Sequence, residues 1–152
     1  MIEYKVEVYE GGEVNWYLND LSHRGGDLPA IVRPDGHKEW WLNGKLHRDN
    51  DKPAIIHSNG NKEWYVNDLR HRNNNLPANE RTDGSRFWYV NDKLHRTAGP
   101  ACEFSDGRKS WFLKGVKYSE EAYNKKMNLN QNSYDGKMVE VDGKKYKLEE
   151  IA

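Results

Sequence analysis

Lys38-Glu39-Trp40-Trp41-Leu42-Asn43-Gly44-Lys45-Leu46-His47-Arg48 is the stretch that decides how this chain folds. Asn-Gly between two short apolar or aromatic runs predicts a two-residue type I′ hairpin loop, because both central residues need positive φ. In that register Leu42 opposes Lys45, Trp41 opposes Leu46, Trp40 opposes His47 and Glu39 opposes Arg48. Asn19-Asp20, Asn67-Asp68 and Asn91-Asp92 mark equivalent loops; Asp tolerates the left-handed region less well than Gly, but reaches it. The same register sets Trp64 against His71 and Glu63 against Arg72. Repeated Trp–His and carboxylate–guanidinium pairs would stabilise each hairpin across its strands.

The pattern recurs every 24 residues: His23, His47, His71 and His95, each followed by an arginine, and Trp16, Trp40, Trp64, Trp88 and, one residue short, Trp111. Pro29-Ala30, Pro53-Ala54, Pro77-Ala78 and Pro100-Ala101 complete the repeat, with one residue deleted between Arg96 and Pro100. A period of this length means stacked supersecondary units. Proline lacks an amide hydrogen and suits the first residue of a strand, so each Pro-Ala opens a strand. Asp35-Gly36, Asn59-Gly60, Asp83-Gly84 and Asp106-Gly107 turn those strands back toward the next tryptophan. Leu21 and Leu69 stand two residues before their histidines, Leu46 and Leu94 one residue before. A one-residue shift changes the face of a strand, so odd and even repeats should differ, giving a 48-residue super-repeat.

Only 28 of 152 residues are Ile, Leu, Val or Phe, a proportion that alone leans toward disorder. Zero net charge and 15 Trp and Tyr residues, mostly in register, reverse that reading: aromatic rings do much of the burying, so Trp16, Trp40, Trp64, Trp88 and Trp111 should be largely buried. The fold expected is mainly β, an elongated antiparallel β-hairpin repeat array with a short helix and a terminal hairpin as C-terminal cap. Residues 1–118 form the array, about four and a half repeats, and residues 119–152 the cap. Within the cap, Ser119 opens a helix over 119–127, with Tyr118 and Tyr123 spaced as a hydrophobic staple. An Asn-rich linker over 128–134 leads to a hairpin over 137–149 around Asp142-Gly143. Such a cap would cover a sheet edge that otherwise pairs with other chains. The start Met-Ile-Glu-Tyr has no signal-peptide pattern and no stretch reaches a membrane span's length, so the expectation is a cytoplasmic protein without membrane contact.

The single Cys102 cannot form an intramolecular disulfide and reads as a structural thiol. Successive histidines would lie about 9–10 Å apart on paired strands, too far for neighbours to share one ion, so no metal is expected and no cofactor motif appears. The His-Arg pairs, with Tyr17, Trp41, Tyr65 and Tyr89 on the facing strand, are the candidate partner- or ligand-binding residues: Arg24, Arg48, Arg72, Arg96, His23, His47, His71 and His95. Guanidinium grips phosphate or carboxylate and aromatic faces stack bases. A structural role is the competing reading, with imidazole lying against the indole ring. Glu39 and Glu63 would occupy Arg48 and Arg72, whereas Asn15 and Phe87 stand at the equivalent positions of the other repeats, leaving Arg24 and Arg96 available. Balanced charge argues against nonspecific nucleic-acid binding, and no nucleophile–base arrangement suggests an enzyme.

On Trp40, Asn43-Gly44, His47 and Asn59-Gly60-x-Lys62, and their counterparts, the repeat resembles the membrane occupation and recognition nexus (MORN) repeat. It is closer to a variant reading Trp-Tyr-x-Asn-Gly-x-x-His-Arg-x-x-Gly-Pro-Ala, met in proteins of large bacteriophages and giant viruses. Residues 12–118 carry the likeness, about two-thirds of the chain. It departs from MORN where Arg replaces the glycine after each histidine, so membrane association is not carried over. The resemblance implies a non-catalytic binding protein that blocks a host or defence protein in the host cytoplasm. The alternative is a sponge for a nucleotide messenger or another small anion. A homo-oligomer is open under either.

Overall fold

The computed structural model describes residues 3–132 and 138–147. Two compact units result, Met1–Tyr118 and Ser119–Ala152, and the described residues form twenty strands and one helix. No helix among them is long and apolar enough to cross a membrane.

In the first unit a single open antiparallel sheet follows chain order: Lys5–Val8, Val14–Leu18, Ile31–Val32, Lys38–Glu39, Ile55–Ile56, Lys62–Glu63, Asn79–Glu80, Arg86–Phe87, Cys102–Glu103, Lys109–Leu113 and Val116–Tyr118. Leu21–Ser22 pairs with Val14–Leu18 off this path. Each repeat thus gives the sheet one strand after Pro-Ala and one before Trp. Arg33-Pro34-Asp35-Gly36 shows how they are joined. The Gly36 amide donates to the Arg33 carbonyl (3.0 Å) and the Arg33 amide to the His37 carbonyl (2.9 Å). Only Gly36, at φ 91°, needs positive φ here, so this is a turn closed by a glycine bulge rather than a second type I′ loop.

The hairpin loops are of the expected type: Asn43 and Gly44 have φ 51° and 76°, and Asn67 and Asp68 have 50° and 69°. The expected register holds for Trp41↔Leu46 and Leu42↔Lys45, and the His47 amide donates to the Trp40 carbonyl (3.1 Å). Beyond Trp40 the register ends. The Trp40 amide donates instead to Ala54 of the neighbouring sheet strand (2.8 Å), and Glu39 lies between Ile31 and Ile55. Trp40, Trp64 and Trp88 are corners where the chain leaves the long sheet for a hairpin, whereas Trp16 and Trp111 lie inside continuous strands, Val14–Leu18 and Lys109–Leu113. The expected Glu39–Arg48 and Glu63–Arg72 pairs therefore do not form, because the glutamates stay in the sheet.

The hairpins in turn lie edge to edge. The second loop residue donates its amide to the preceding hairpin, Gly44 to Ser22 and Asp68 to Leu46 (both 2.9 Å). Asp68 and Asp92 also accept the Leu46 and Arg70 amides on their carboxylates (2.8 Å each). Asp in this loop supplies a bond that Gly cannot.

Ala30, Ala54, Ala78 and Ala101 are 0% exposed, with Trp40, Trp64 and Trp88 buried beside them in the same repeating register. Alanine fits because the indole fills the corner. Trp16 and Trp111, expected to be buried as well, are only half-buried. They stand in the first and last repeats, and among the described residues no loop carbonyl accepts either indole N–H, as Asp27, Asp51 and Asn75 do for Trp40, Trp64 and Trp88.

In the second unit the helix runs Glu120–Asn132, five residues past its expected end. Ser119 caps it, its Oγ accepting the Ala122 amide (3.2 Å). Asn128–Asn132 contains neither Gly nor Pro, and asparagine costs a helix only about 0.7 kcal/mol against alanine, so the Asn-rich stretch continues the helix rather than linking it. Consequently Lys125 and Lys126 are not in the last turn. The rest of the expected linker lies outside the described residues. The terminal hairpin pairs Met138–Val141 with Lys144–Lys147; residues 137, 148 and 149 lie outside the described part.

Candidate functional site

The sequence places an arginine eight residues after Trp16, Trp40, Trp64 and Trp88, at the far end of the hairpin, and the fold of the hairpin brings the two together. Arg24, Arg48 and Arg96 lie 3.7 Å from the ring centres of Trp16, Trp40 and Trp88, and Arg72 lies 3.9 Å from that of Trp64. It is the guanidinium that lies over the indole, in place of the imidazole expected there. Such contacts contribute about 0.5–2 kcal/mol each, the upper end when desolvated. In every repeat the arginine also donates from Nη1 to the proline carbonyl, at 3.2 Å for Arg24, Arg48 and Arg72 and 3.1 Å for Arg96.

A third residue completes this rung. Asp27, Asp51 and Asn75 hold left-handed φ of 58°, 55° and 56°. Their main-chain carbonyls accept the indole N–H of Trp40 (3.1 Å), Trp64 (2.9 Å) and Trp88 (2.8 Å). Their side chains accept the guanidinium of the following repeat: Arg48 from Nε to Asp27 (2.7 Å), Arg72 from Nε and Nη2 to Asp51 (2.8 and 2.9 Å), Arg96 from Nε to Asn75 (3.1 Å). Arg48, then Lys52, hold the Asp27 carboxyl well below the usual carboxylate range, and Arg72 lowers that of Asp51. The recurrence of Asx at positions 27, 51 and 75 was the available signal for this residue.

Arg96 is not available as expected: Glu103 pairs with it at 2.8 Å. The acid comes from the strand after its own Pro-Ala, as Glu80 does for Arg72 (2.9 Å). Among the described residues no carboxylate pairs with Arg24.

The histidines do a separate job. Nδ1 of His23, His47 and His95 accepts the amide of the next repeat's loop, from Asn43 (3.0 Å), Asn67 (3.2 Å) and Lys114 (3.0 Å). His71 meets the side chain of Asn91 instead (2.9 Å). An Nδ1 that accepts an amide leaves Nε2 as the nitrogen free to donate, as His47 does toward Asp49 (2.9 Å). Burial, and then Lys114, depress the pKa of His95. A depressed histidine binds protons more readily when unfolded. Its contribution is therefore complete above the unfolded pKa of about 6.5 and is lost as pH falls through the lower folded value. We expect stability to decline below about pH 6.5, and His95→Gln to flatten part of that slope in urea titrations across pH 5–8; an unchanged slope would remove His95 from the account.

The aromatic candidates fall into another row. Trp41 donates its indole N–H to Glu39 (2.8 Å), and the Tyr65 hydroxyl donates to Glu63 (3.1 Å) and accepts from Arg70 (2.8 Å). The Arg70 guanidinium lies 5.1 Å from the Tyr89 ring centre, and Tyr17 pairs with Lys5 and Ser22 across its strands. Two clefts one period apart gather members of these rows. One, about 240 Å³, is lined by Arg24, Asp27, Trp41, His47 and Arg48 among others; the next, about 250 Å³, by Arg48, Asp51, Tyr65, His71 and Arg72. Their walls carry aspartates as well as arginines.

Cys102 is buried and its thiol is pushed up to about 11 by that burial. Among the described residues, no three His, Cys, Asp or Glu side chains are placed to hold a metal ion. No protein-family model matches the chain, and no curated protein matches it significantly.

Proposed function

We propose that the chain is a non-catalytic repeat protein that binds a partner protein along the outer face of its row of hairpins. The observation that carries this reading is a run of exposed apolar side chains on that row: Leu21, Leu42, Val66, Leu69, Val90 and Val116. Directly opposed residues share a face of a hairpin, so Leu18–Leu21, Leu42–Lys45, Val66–Leu69 and Val90–Lys93 mark one face; Val116 is exposed, but its partner Leu113 is buried. All-apolar pairs alternate with apolar–lysine pairs, which is the odd–even difference in leucine position expressed as chemistry. Single exposed apolar residues are ordinary, but a contiguous row marks an interaction surface. Lys45 and Lys93, about 19 Å apart at two strand spacings per repeat, favour a partner with acidic residues beside its apolar contacts.

The likeness to bacteriophage and giant-virus repeat proteins makes a host or defence protein in the host cytoplasm the partner we favour. The nucleotide-sponge alternative gains little support from the rungs, since Arg48, Arg72 and Arg96 already bond to Asp27, Asp51 and Asn75. A photo-crosslinking residue placed at Val66, compared with one at exposed Lys62 in the long sheet, tests the surface inside the native host. We expect a discrete protein adduct from Val66 that disappears with Leu42→Asp. Adducts from Lys62 alone would move the surface to the sheet. Stoichiometric calorimetric binding of a nucleotide would replace this reading with the sponge.

A further inference from the structure

Three of the four Trp–Arg rungs are completed by an Asx residue from the preceding loop. Asp27 and Asp51 each bind in the same way: left-handed backbone, main-chain carbonyl on the indole N–H, carboxylate on the guanidinium fork. These are internal examples of a recognition geometry, with the ligand supplied by the chain itself. In the first rung the receptor half is present in the same form. Arg24 lies 3.7 Å from the centre of the Trp16 ring and donates Nη1 to the Pro29 carbonyl (3.2 Å), as its counterparts do. Its Nε and Nη2, and the Trp16 indole N–H, have no partner among the described residues. Trp16 is correspondingly half-buried where Trp40 and Trp64 are buried. Glu3, one period before Asp27, is exposed and bonds to neither.

We propose that the Trp16–Arg24 rung is a binding site for an aspartyl residue held in left-handed conformation on a loop of another protein. The residue would occupy the place that Asp27 and Asp51 take one and two repeats further on. The selectivity follows from the two-point grip. The fork requires a planar carboxylate or, more weakly, an amide, as Asn75 shows on Arg96. The indole N–H requires a carbonyl from the same residue, and only a short side chain brings both within reach. A glutamate, longer by one methylene, cannot keep both contacts in this geometry. Stacking of a further copy through the same loop would not satisfy the site, because the fourth loop reads Thr97-Ala98-Gly99 and offers no carboxylate. This site lies at the opening rung and is independent of the hairpin-face reading above.

The probe is the peptide acetyl-Gly-Gly-Asp-Leu-Pro-Ala-amide, which copies Gly25–Ala30, titrated into the full chain while the Trp16 indole N–H and Arg24 Nε–H are followed by NMR. We expect saturable shifts at these two groups, with a Kd on the order of 1 mM for so small a contact. The shifts should weaken with Asn in the peptide and vanish with Ala or Glu. Arg24→Ala and, separately, Trp16→Phe should abolish binding while the remaining amide spectrum keeps its dispersion; the second variant keeps the test valid should the first unfold. Four outcomes would overturn the proposal. One is the absence of saturable shifts well above that concentration. Another is equal response to the Asp and Ala peptides. A third is inorganic phosphate alone reproducing the shifts and competing fully, which would make the rung a general anion site. The last is a change in the Arg24 Nε–H signal of the peptide-free protein on Glu3→Gln, which would make Glu3 the ligand.

Discussion

Trp64→Ala is expected to lower the unfolding free energy by about 3–5 kcal/mol, the range for truncating a buried aromatic residue. Trp64 is 6% exposed, carries the Arg72 guanidinium 3.9 Å from its ring centre and donates its indole N–H to the Asp51 carbonyl (2.9 Å). The loss therefore combines a cavity, a stacked cation without its ring and a loop carbonyl without its donor. Stability in a stacked array passes through contacts between neighbours, so the damage should spread to the repeats on either side. Urea denaturation followed by far-UV circular dichroism reads it as a lower midpoint or a broadened transition. Trp16→Ala should cost less, because that ring is half-buried and its indole N–H has no partner among the described residues. Equal midpoints for Trp64→Ala and the parent would show the indole row to be a surface feature.

Arg72→Ala is expected to cost about 2–3 kcal/mol, from hydrogen bonds of a charged group and one cation–π contact. The side chain is 12% exposed and holds Trp64, the Pro77 carbonyl, Asp51 and Glu80 together. Asp51 is half exposed and can return to water, which keeps the cost below that of breaking a fully buried pair. Arg72→Lys should recover little, since an ammonium cannot lie flat on the indole while donating along two edges. Because the guanidinium is shielded, the loss should persist in high salt. A full rescue by lysine would reduce the rung to a simple ion pair.

The sequence by itself determined the local geometry of this protein. Asn43-Gly44 and its counterparts demanded positive φ at two adjacent residues, and that demand set the Trp41–Leu46 and Leu42–Lys45 register without help from elsewhere. The period of 24 residues and the prolines then placed the strands. The charged partners were legible only in part, because a partner depends on how repeats stack rather than on a turn. Tertiary structure turned the chain at Trp40, kept Glu39 in the long sheet and gave Arg48 an aspartate 21 residues earlier. It decided, too, that Trp16 and Trp111 are half-buried while identical residues between them are buried. The physical reason is one of range. A hairpin loop is governed by sterics within four residues, whereas burial and ion pairing are governed by which neighbour arrives, and among the described residues no loop carbonyl reaches the Trp16 or Trp111 indole N–H.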